Sequence, residues 1–232
     1  MPNPFFMRAI LRFFFYLLYH PFAFAYDLVA ATVSLGRWKD WVLSVVPFLE
    51  GNRILEIGHG PGHLQRVLLS RNLLAVGIDE SAPMGHLAQR NLTRFLARNS
   101  NSNHKSRHNA YTQTNLARAL GQHIPFANNS FDTVVATFPA EYIFAVETLK
   151  EAHRVLTDEG RFVILPGASI VGRGMMDRFM ALIFHITGES IPNLAEILKE
   201  RYEKSFLGAG FHVQIHEISI KSSLVIILVA TK

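Results

Sequence analysis

Between Arg53 and Leu165, apolar runs of strand length alternate with stretches of helical period, and this alternation constrains the chain more than any other feature. Residues 53–58 (RILEIG), 74–79 (LAVGID) and 133–138 (TVVATF) read as strands buried on both faces. Residues 115–119 form a weaker third strand and 161–165 a fifth. Residues 63–71, with Leu64, Val67 and Leu68 on one face, and residues 82–98 read as helices. Pro139 suits the first position of another helix, where its missing N–H is harmless. The apolar stripe of that helix would be Ile143, Val146, Leu149, His153 and Leu156, and Asp158-Glu159-Gly160 would turn the chain into strand five. Residues 99–109 (NSNSNHKSRHN) are polar and aperiodic, as a loop is. Residues 194–206 read as a last helix, and HVQIHEISIK and SLVIILVATK as two strands joined around Lys221–Ser223. The expected fold class is therefore α/β. A seven-stranded, mostly parallel, Rossmann-like sheet carries helices on both faces and ends in an antiparallel hairpin.

The first strand runs into ILEIGHGPG, in which Gly58, Gly60 and Gly62 alternate after Glu56. Glycine permits a tight turn and close backbone approach, and the turn feeds a helix N-terminus. A dinucleotide fingerprint would need G-x-G-x-x-G, and counting from Gly58 the last position is His63. Asp79 ends the second strand some twenty residues later, where an acidic side chain can hold ribose hydroxyls. His59 and His63 stand four apart across a turn with no third ligand in view, so no metal is expected.

The E-x-G-x-G-x-G form resembles the first motif of class I S-adenosylmethionine-dependent methyltransferases. GIDESAPM (77–84), IPFANNSFDTVVATFPAEYI (124–143) and LKEAHRVLTDEGRFVIL (149–165) resemble later blocks of the same family, in the family's order. The nearest flavour is the group of ubiquinone and menaquinone C-methyltransferases and other small-molecule methyltransferases. The resemblance implies S-adenosylmethionine as cofactor and its homocysteine analogue as product. It implies Glu56 near the cofactor's amino end, Gly58, His59, Gly60 and Gly62 under its amino acid and ribose, and Asp79 on the ribose. Glu80 and Met84 would flank the adenine, and Thr137 and Phe138 would face the methionine portion. The family's acid before L-P-F is missing here, leaving Ala119 or Gln122 for the adenine amino group. Phe138-Pro139-Ala140-Glu141 departs from the N/D-P-P-Y/F of amino-methylating members.

Three side chains are candidates for a proton-accepting role: Glu141, Tyr142 and His20. Glu141 also suits the first turn of a helix on dipole grounds alone. No base is required, because the leaving thioether is neutral and positioning with desolvation can carry the reaction.

Residues 1–45 read as an apolar helical extension before a domain at 46–232. Within residues 5–26, Arg8, Arg12, His20 and Pro21 break the apolar sequence, so no run is long enough to cross a bilayer. Three readings stand open: an interfacial helix in peripheral membrane contact, a signal peptide ending near Ala23-Phe24-Ala25, and a helix packed over the catalytic domain. Trp38 and Trp41 read as packing residues. A second apolar segment, 168–206, carries Met175, Met176, Phe179, Met180 and Phe184 and suits either a lid over a hydrophobic acceptor or a helix buried against the core. A lipid, an isoprenoid quinone or a related metabolite would fit both. The chain has no cysteine, which removes disulfides and thiolate metal sites and agrees with a cytoplasmic location on or near a membrane's inner face. Its net charge of +5 comes without a dense basic patch, so nucleic acid is not an expected partner. Two other classes stay in view: a non-catalytic binding or assembly protein on the same fold, and a nicotinamide-dependent oxidoreductase.

Overall fold

The computed structural model describes Ser34, residues 36–100, 115–171 and 194–232, with the backbone alone at 99–100 and 194–200. Residues 5–26, His20 among them, and most of the apolar segment 168–206 lie outside the described residues.

Seven strands form one sheet in the order β3-β2-β1-β4-β5-β7-β6. They are β1 (Arg53–Ile57), β2 (Leu74–Asp79), β3 (Leu116–Arg118), β4 (Phe131–Thr137), β5 (Leu156–Ile170), β6 (His212–Ile220) and β7 (Ser223–Thr231). β1 pairs in parallel with β2 on one side and β4 on the other, and β2 with β3 and β4 with β5 are parallel too. β7 is antiparallel to both β5 and β6. The helices are α1 (Trp38–Leu43), α2 (His63–Ser70), α3 (Ala82–Ser100), α4 (Val146–Val155) and α5 (Leu194–Gly208).

Each face of the sheet carries its own apolar cluster. One gathers Leu55, Val134, Phe162 and Leu228 with Leu149 and Ala152 of α4 and Phe206 of α5. The other gathers Ile54, Val135, Val163 and Ile227 with Trp41 and Val42 of α1 and Leu64 and Leu68 of α2. The alternation along β1 and β4 sends successive side chains into opposite clusters, as the period of a strand requires. Trp41, Val42 and Val45, at the end of the N-terminal extension, are part of the core.

Three local expectations are corrected. Pro139 does not open an α-helix. A 3-10 turn at Glu141–Phe144 comes first, Ala145 breaks it at an extended ψ of 141°, and α4 begins at Val146. That restart changes the helical phase, so α4 buries Thr148, Leu149, Ala152 and Val155 while Val146 is exposed and His153 only half-buried. β4 ends at Thr137 rather than Phe138, because Phe138 takes a left-handed φ of 50°. β5 begins at Leu156, with Thr157 to Gly160 bulging between its pairs to Phe131 and Thr133, and it continues to Ile170 paired with β7. The apolar segment from 168 therefore starts inside a strand.

The entry to β1 hangs on Asp132 at the edge of β4. Its carboxylate accepts hydrogen bonds from the backbone N–H groups of Asn52 and Arg53 and from the Arg53 guanidinium. Gly51 makes this possible. Its φ is +71°, and a Cβ there would lie 2.3 Å from the Asp132 Cβ. Gly51→Ala is expected to lower stability by about 1–3 kcal/mol, through backbone strain and displacement of Asp132. Urea unfolding of the two proteins measures it, and equal midpoints would remove this account of the β1 entry.

Candidate functional site

β1 is the point at which the sheet's order reverses. The chain leaves its carboxyl end toward β2 on one side, and β4 lies on the other, which opens a crevice above both strand ends. The glycine turn fills the floor of that crevice. Gly58, Gly60 and Gly62 have φ of 74°, 50° and 85°, all in the left-handed region. The N–H of Gly58 bonds the carbonyl of Ile78, which holds the turn against β2. Gly62 caps α2, and a Cβ there would come 3.3 Å from the Cβ of Ala88 on α3. Gly60 is different: a Cβ there meets nothing within 4 Å, so its backbone faces open space.

Asp79, at the end of β2, accepts the Gly60 N–H at 2.9 Å on one oxygen and the Ser81 N–H at 2.8 Å on the other. The backbone carbonyl of Asp79 accepts the N–H of Ala119, and that of Glu80 accepts the Arg118 Nε–H, so the end of β3 lies beside the end of β2. Ala119 is half-buried and Glu80 exposed. Met84 is fully buried in the first turn of α3, with its N–H on the Ser81 hydroxyl.

Across the crevice, β4 ends at Thr137 and Phe138 follows it. The Phe138 N–H bonds the Leu165 carbonyl at 2.7 Å while its φ stays positive, so the side chain is turned out of the sheet's alternation. The Trp38 indole lies on this ring, with centroids 4.1 Å apart and planes 26° apart. Trp38 and Val42 share a narrow cleft with Glu56, Gly58, His59, Gly60 and Thr137. The Tyr142 hydroxyl approaches Gly58, 3.0 Å from where a Cβ would stand, and its ring edge comes within 3.2 Å of the same position at Gly121. Tyr142 is thus brought to the glycine turn. Glu141 is exposed at the start of the 3-10 turn.

Two buried titratable groups sit at the turn. Glu56 is sealed beneath it, with Oε2 accepting a hydrogen bond from Gln65 of α2 at 2.9 Å. Burial pushes its carboxyl up to about 8, against the opposing Gln65 bond and with help from the charge of Asp79. Burial likewise lowers the His59 imidazole, against the pull of Asp79. The His59 Nδ1 stands 2.8 Å from the Gly60 carbonyl. A carbonyl only accepts, so Nδ1 carries a proton. Gly77 of β2 leaves room for that ring: a Cβ there would lie 3.0 Å from His59 Cδ2.

Sequence reasoning missed two members of the site. Gln65 was readable as a polar residue beside Leu64, Leu68 and Leu69 on the buried face of α2. Trp38 read as packing, and only the three-dimensional fold brings it to Phe138.

Residues 55–164 match the family model described as a methyltransferase domain. A ubiquinone/menaquinone biosynthesis C-methyltransferase of Geotalea uraniireducens is 30% identical over 149 residues, 60% of this chain and 57% of that protein. The chain therefore spans little more than half the length of that relative. A protein of Methanococcus maripaludis described as an S-adenosyl-L-methionine-dependent methyltransferase superposes with a TM-score of 0.59 at 17% identity, covering 89% of this chain and 90% of that one. The magnesium protoporphyrin IX methyltransferase of Synechocystis, solved with S-adenosylhomocysteine bound, gives 0.53 at 18% identity over 84% and 83%.

Residues 55–164 are thus similar to the methyltransferase-domain family, on the fold of S-adenosylmethionine-dependent methyltransferases.

The glycine spacing departs from the G-x-G-x-x-G of a dinucleotide fingerprint, and the matched family model is a methyltransferase domain; both speak against the nicotinamide alternative. The residues fit the methyltransferase cofactor. A carboxyl at the end of β1 and a carboxylate at the end of β2 flank a turn whose central backbone, at Gly60, faces open space. That set suits a ligand with an ammonium at one end and a diol at the other.

In the methyltransferase domain the raised Glu56 carboxyl carries a sign. The folded state holds this proton more tightly than the unfolded chain does. Its stabilising contribution is complete below its ordinary value of 4.5 and is lost as pH rises through about 8. Glu56→Gln is therefore expected to flatten the fall in stability between pH 6 and pH 9. Denaturant midpoints at the two pH values test it, and parallel falls in both proteins would remove Glu56 as the cause.

Proposed function

We propose that this chain transfers the methyl group of S-adenosylmethionine to a small hydrophobic acceptor, an isoprenoid quinone, a lipid or a related metabolite. The observation that carries the reading is the crevice itself: the Gly58–Gly62 turn hydrogen-bonded to Asp79 at the sheet's reversal point, walled by Phe138 and Trp38. The quinone-methylating relative and the apolar extension and insertion support the hydrophobic acceptor.

In this reading Asp79 takes the ribose hydroxyls. Gly58, His59, Gly60 and Gly62 underlie the amino acid and ribose, with Glu56 near the amino end. Glu80, Met84 and Ala119 border the adenine, and Thr137 and Phe138 the methionine portion. The cofactor supplies a methyl group on a sulfonium whose departing thioether is neutral, so the protein needs no acid. The chain's own work is to bind, orient and exclude water. Tyr142, beside Gly58, and Glu141, exposed at the start of the 3-10 turn, are candidates to accept a proton. His20 remains a sequence candidate for that role. Residues 46–232 form the methyltransferase domain, with 1–45 as an extension in peripheral membrane contact through 5–26 and with 168–206 over the acceptor. The setting is the inner face of a membrane. Among the described residues no helix is long and apolar enough to cross one.

Calorimetric titration with S-adenosylhomocysteine tests the cofactor half. Wild type is expected to bind and Asp79→Ala to lose at least about tenfold in affinity, about 1.4 kcal/mol. Gly60→Ala should weaken binding and lower stability by about 1–2 kcal/mol through its left-handed φ of 50° alone, because its Cβ meets no neighbour. A folded wild-type protein that binds neither the cofactor nor its product would end the reading.

Binding should also release a proton near neutral pH, as the ligand's ammonium approaches the protonated Glu56 and favours its ionised form. Titration in buffers of different ionisation enthalpy measures that release, and it should vanish in Glu56→Gln. Methyl transfer to quinols or lipids in detergent, absent with polar phenols, is the expected result for the acceptor half. The reverse preference would refute it.

A further inference from the structure

The aromatic wall of the crevice is built in a way that packing alone does not require. Phe138 holds a left-handed backbone at φ +50°, a conformation that costs a non-glycine residue about 1–2 kcal/mol and that is found at functional sites. The conformation sits one residue past Thr137, at the exact end of β4 on the crevice side. Against Phe138 lies the Trp38 indole, near-parallel and in van der Waals contact. Trp41 leans on both rings, 6.5 Å from Trp38 and 6.1 Å from Phe138. The Trp41 indole N–H is buried with no hydrogen-bond partner among the described residues. The crevice that Trp38 borders measures about 290 Å³ even when open space is included, below the usual range for small-molecule sites.

We propose that Trp38 occupies the acceptor position itself, and that a flat unsaturated acceptor ring binds by exchanging with the indole on Phe138. The proposal rests on the methyl-transfer reading above. No third ring fits between two rings 4.1 Å apart, so anything that faces Phe138 must displace Trp38. α1 is suited to yield. It is six residues long, its N-cap residue Arg37 makes no side-chain cap bond, and Trp38, at its first position, is held by its N–H on the Ser34 hydroxyl. Trp41 and Val42, one turn on, are buried and keep the helix anchored while its first turn gives way. The exchange replaces one stacked aromatic pair by another, so it selects for planarity more than for apolar bulk. A puckered saturated ring of the same size would recover less of the contact. Trp38 is in this view a specificity-determining residue that guards the methyl-transfer position.

The test compares two probes of one carbon skeleton, planar 2-naphthol and puckered decahydro-2-naphthol, titrated by calorimetry into protein saturated with S-adenosylhomocysteine. Trp38→Ala is expected to bind 2-naphthol about fivefold more tightly than wild type, the gain of removing an internal stacked competitor. Trp38→Phe, which keeps a ring in place, should stay near wild type, and the decahydro probe should gain less than 2-naphthol. Unchanged or weaker 2-naphthol binding by Trp38→Ala would overturn the proposal and make Trp38 a wall or a platform. An equal gain for both probes would overturn the planar selectivity. Where Trp38→Ala does not fold, Trp38→Leu is read in its place with the same expectation. Failure of wild type to bind S-adenosylhomocysteine would sink the methyl-transfer reading before any probe is added. Retained binding without the gain sinks only the exchange.

Discussion

Everything functional in this chain depends on the parting of β1 and β4. The two strands are hydrogen-bonded neighbours, yet the chain leaves β1 for β2 and reaches β4 only after crossing to the other side. The glycine turn lies above their carboxyl ends, and at Gly60 its backbone faces open space among the described residues. Asp79 fixes the shape of that turn by holding Gly60 from the neighbouring strand. The groups that would meet the cofactor are thus set by sheet pairing, the most rigid part of the molecule, in keeping with the demand that a binding site be preorganised.

The interior of the site is close to uncharged. Glu56 is protonated over much of the neutral range and His59 is neutral, both because burial penalises their charged forms. Asp79 stands nearer the opening with two backbone donors on its carboxylate. In the proposed reading, a positively charged ligand entering such a place would meet the Asp79 carboxylate and favour the ionised form of Glu56. That arrangement keeps the empty site from storing a buried, unpaired charge, which would cost several kcal/mol.

The strands and their order of appearance were legible in the sequence because parallel strands buried on both faces leave unbroken apolar runs, as in TVVATF. The glycine turn was legible because its spacing is local. Features that depend on phase or on distant contacts were not. Pro139 satisfied the rule for a helix start, but the restart at Ala145 moved the apolar stripe and left Val146 in solvent. Phe138 looked like one more strand residue, and no local pattern marks its positive φ. Gln65 showed only as a polar interruption of an apolar helix face. Tyr142 was named for its chemistry, and its approach to Gly58 follows from the 3-10 turn that the sequence did not reveal.

The sheet's second half carries a consequence for how the chain comes to be folded. β7, made after every other strand, is inserted between β5 and β6 and pairs with both along nearly its whole length. Until it is in place, β5 presents a bare edge of ladder donors and acceptors, and β6 has nothing to pair with. Both are invitations to the wrong neighbour. A nascent chain can assemble β1 to β5 early, but the sheet closes only when residues 223–231 have cleared the ribosome. The keystone of this domain is laid last, and a ribosome that stalled shortly before it would hold an open arch.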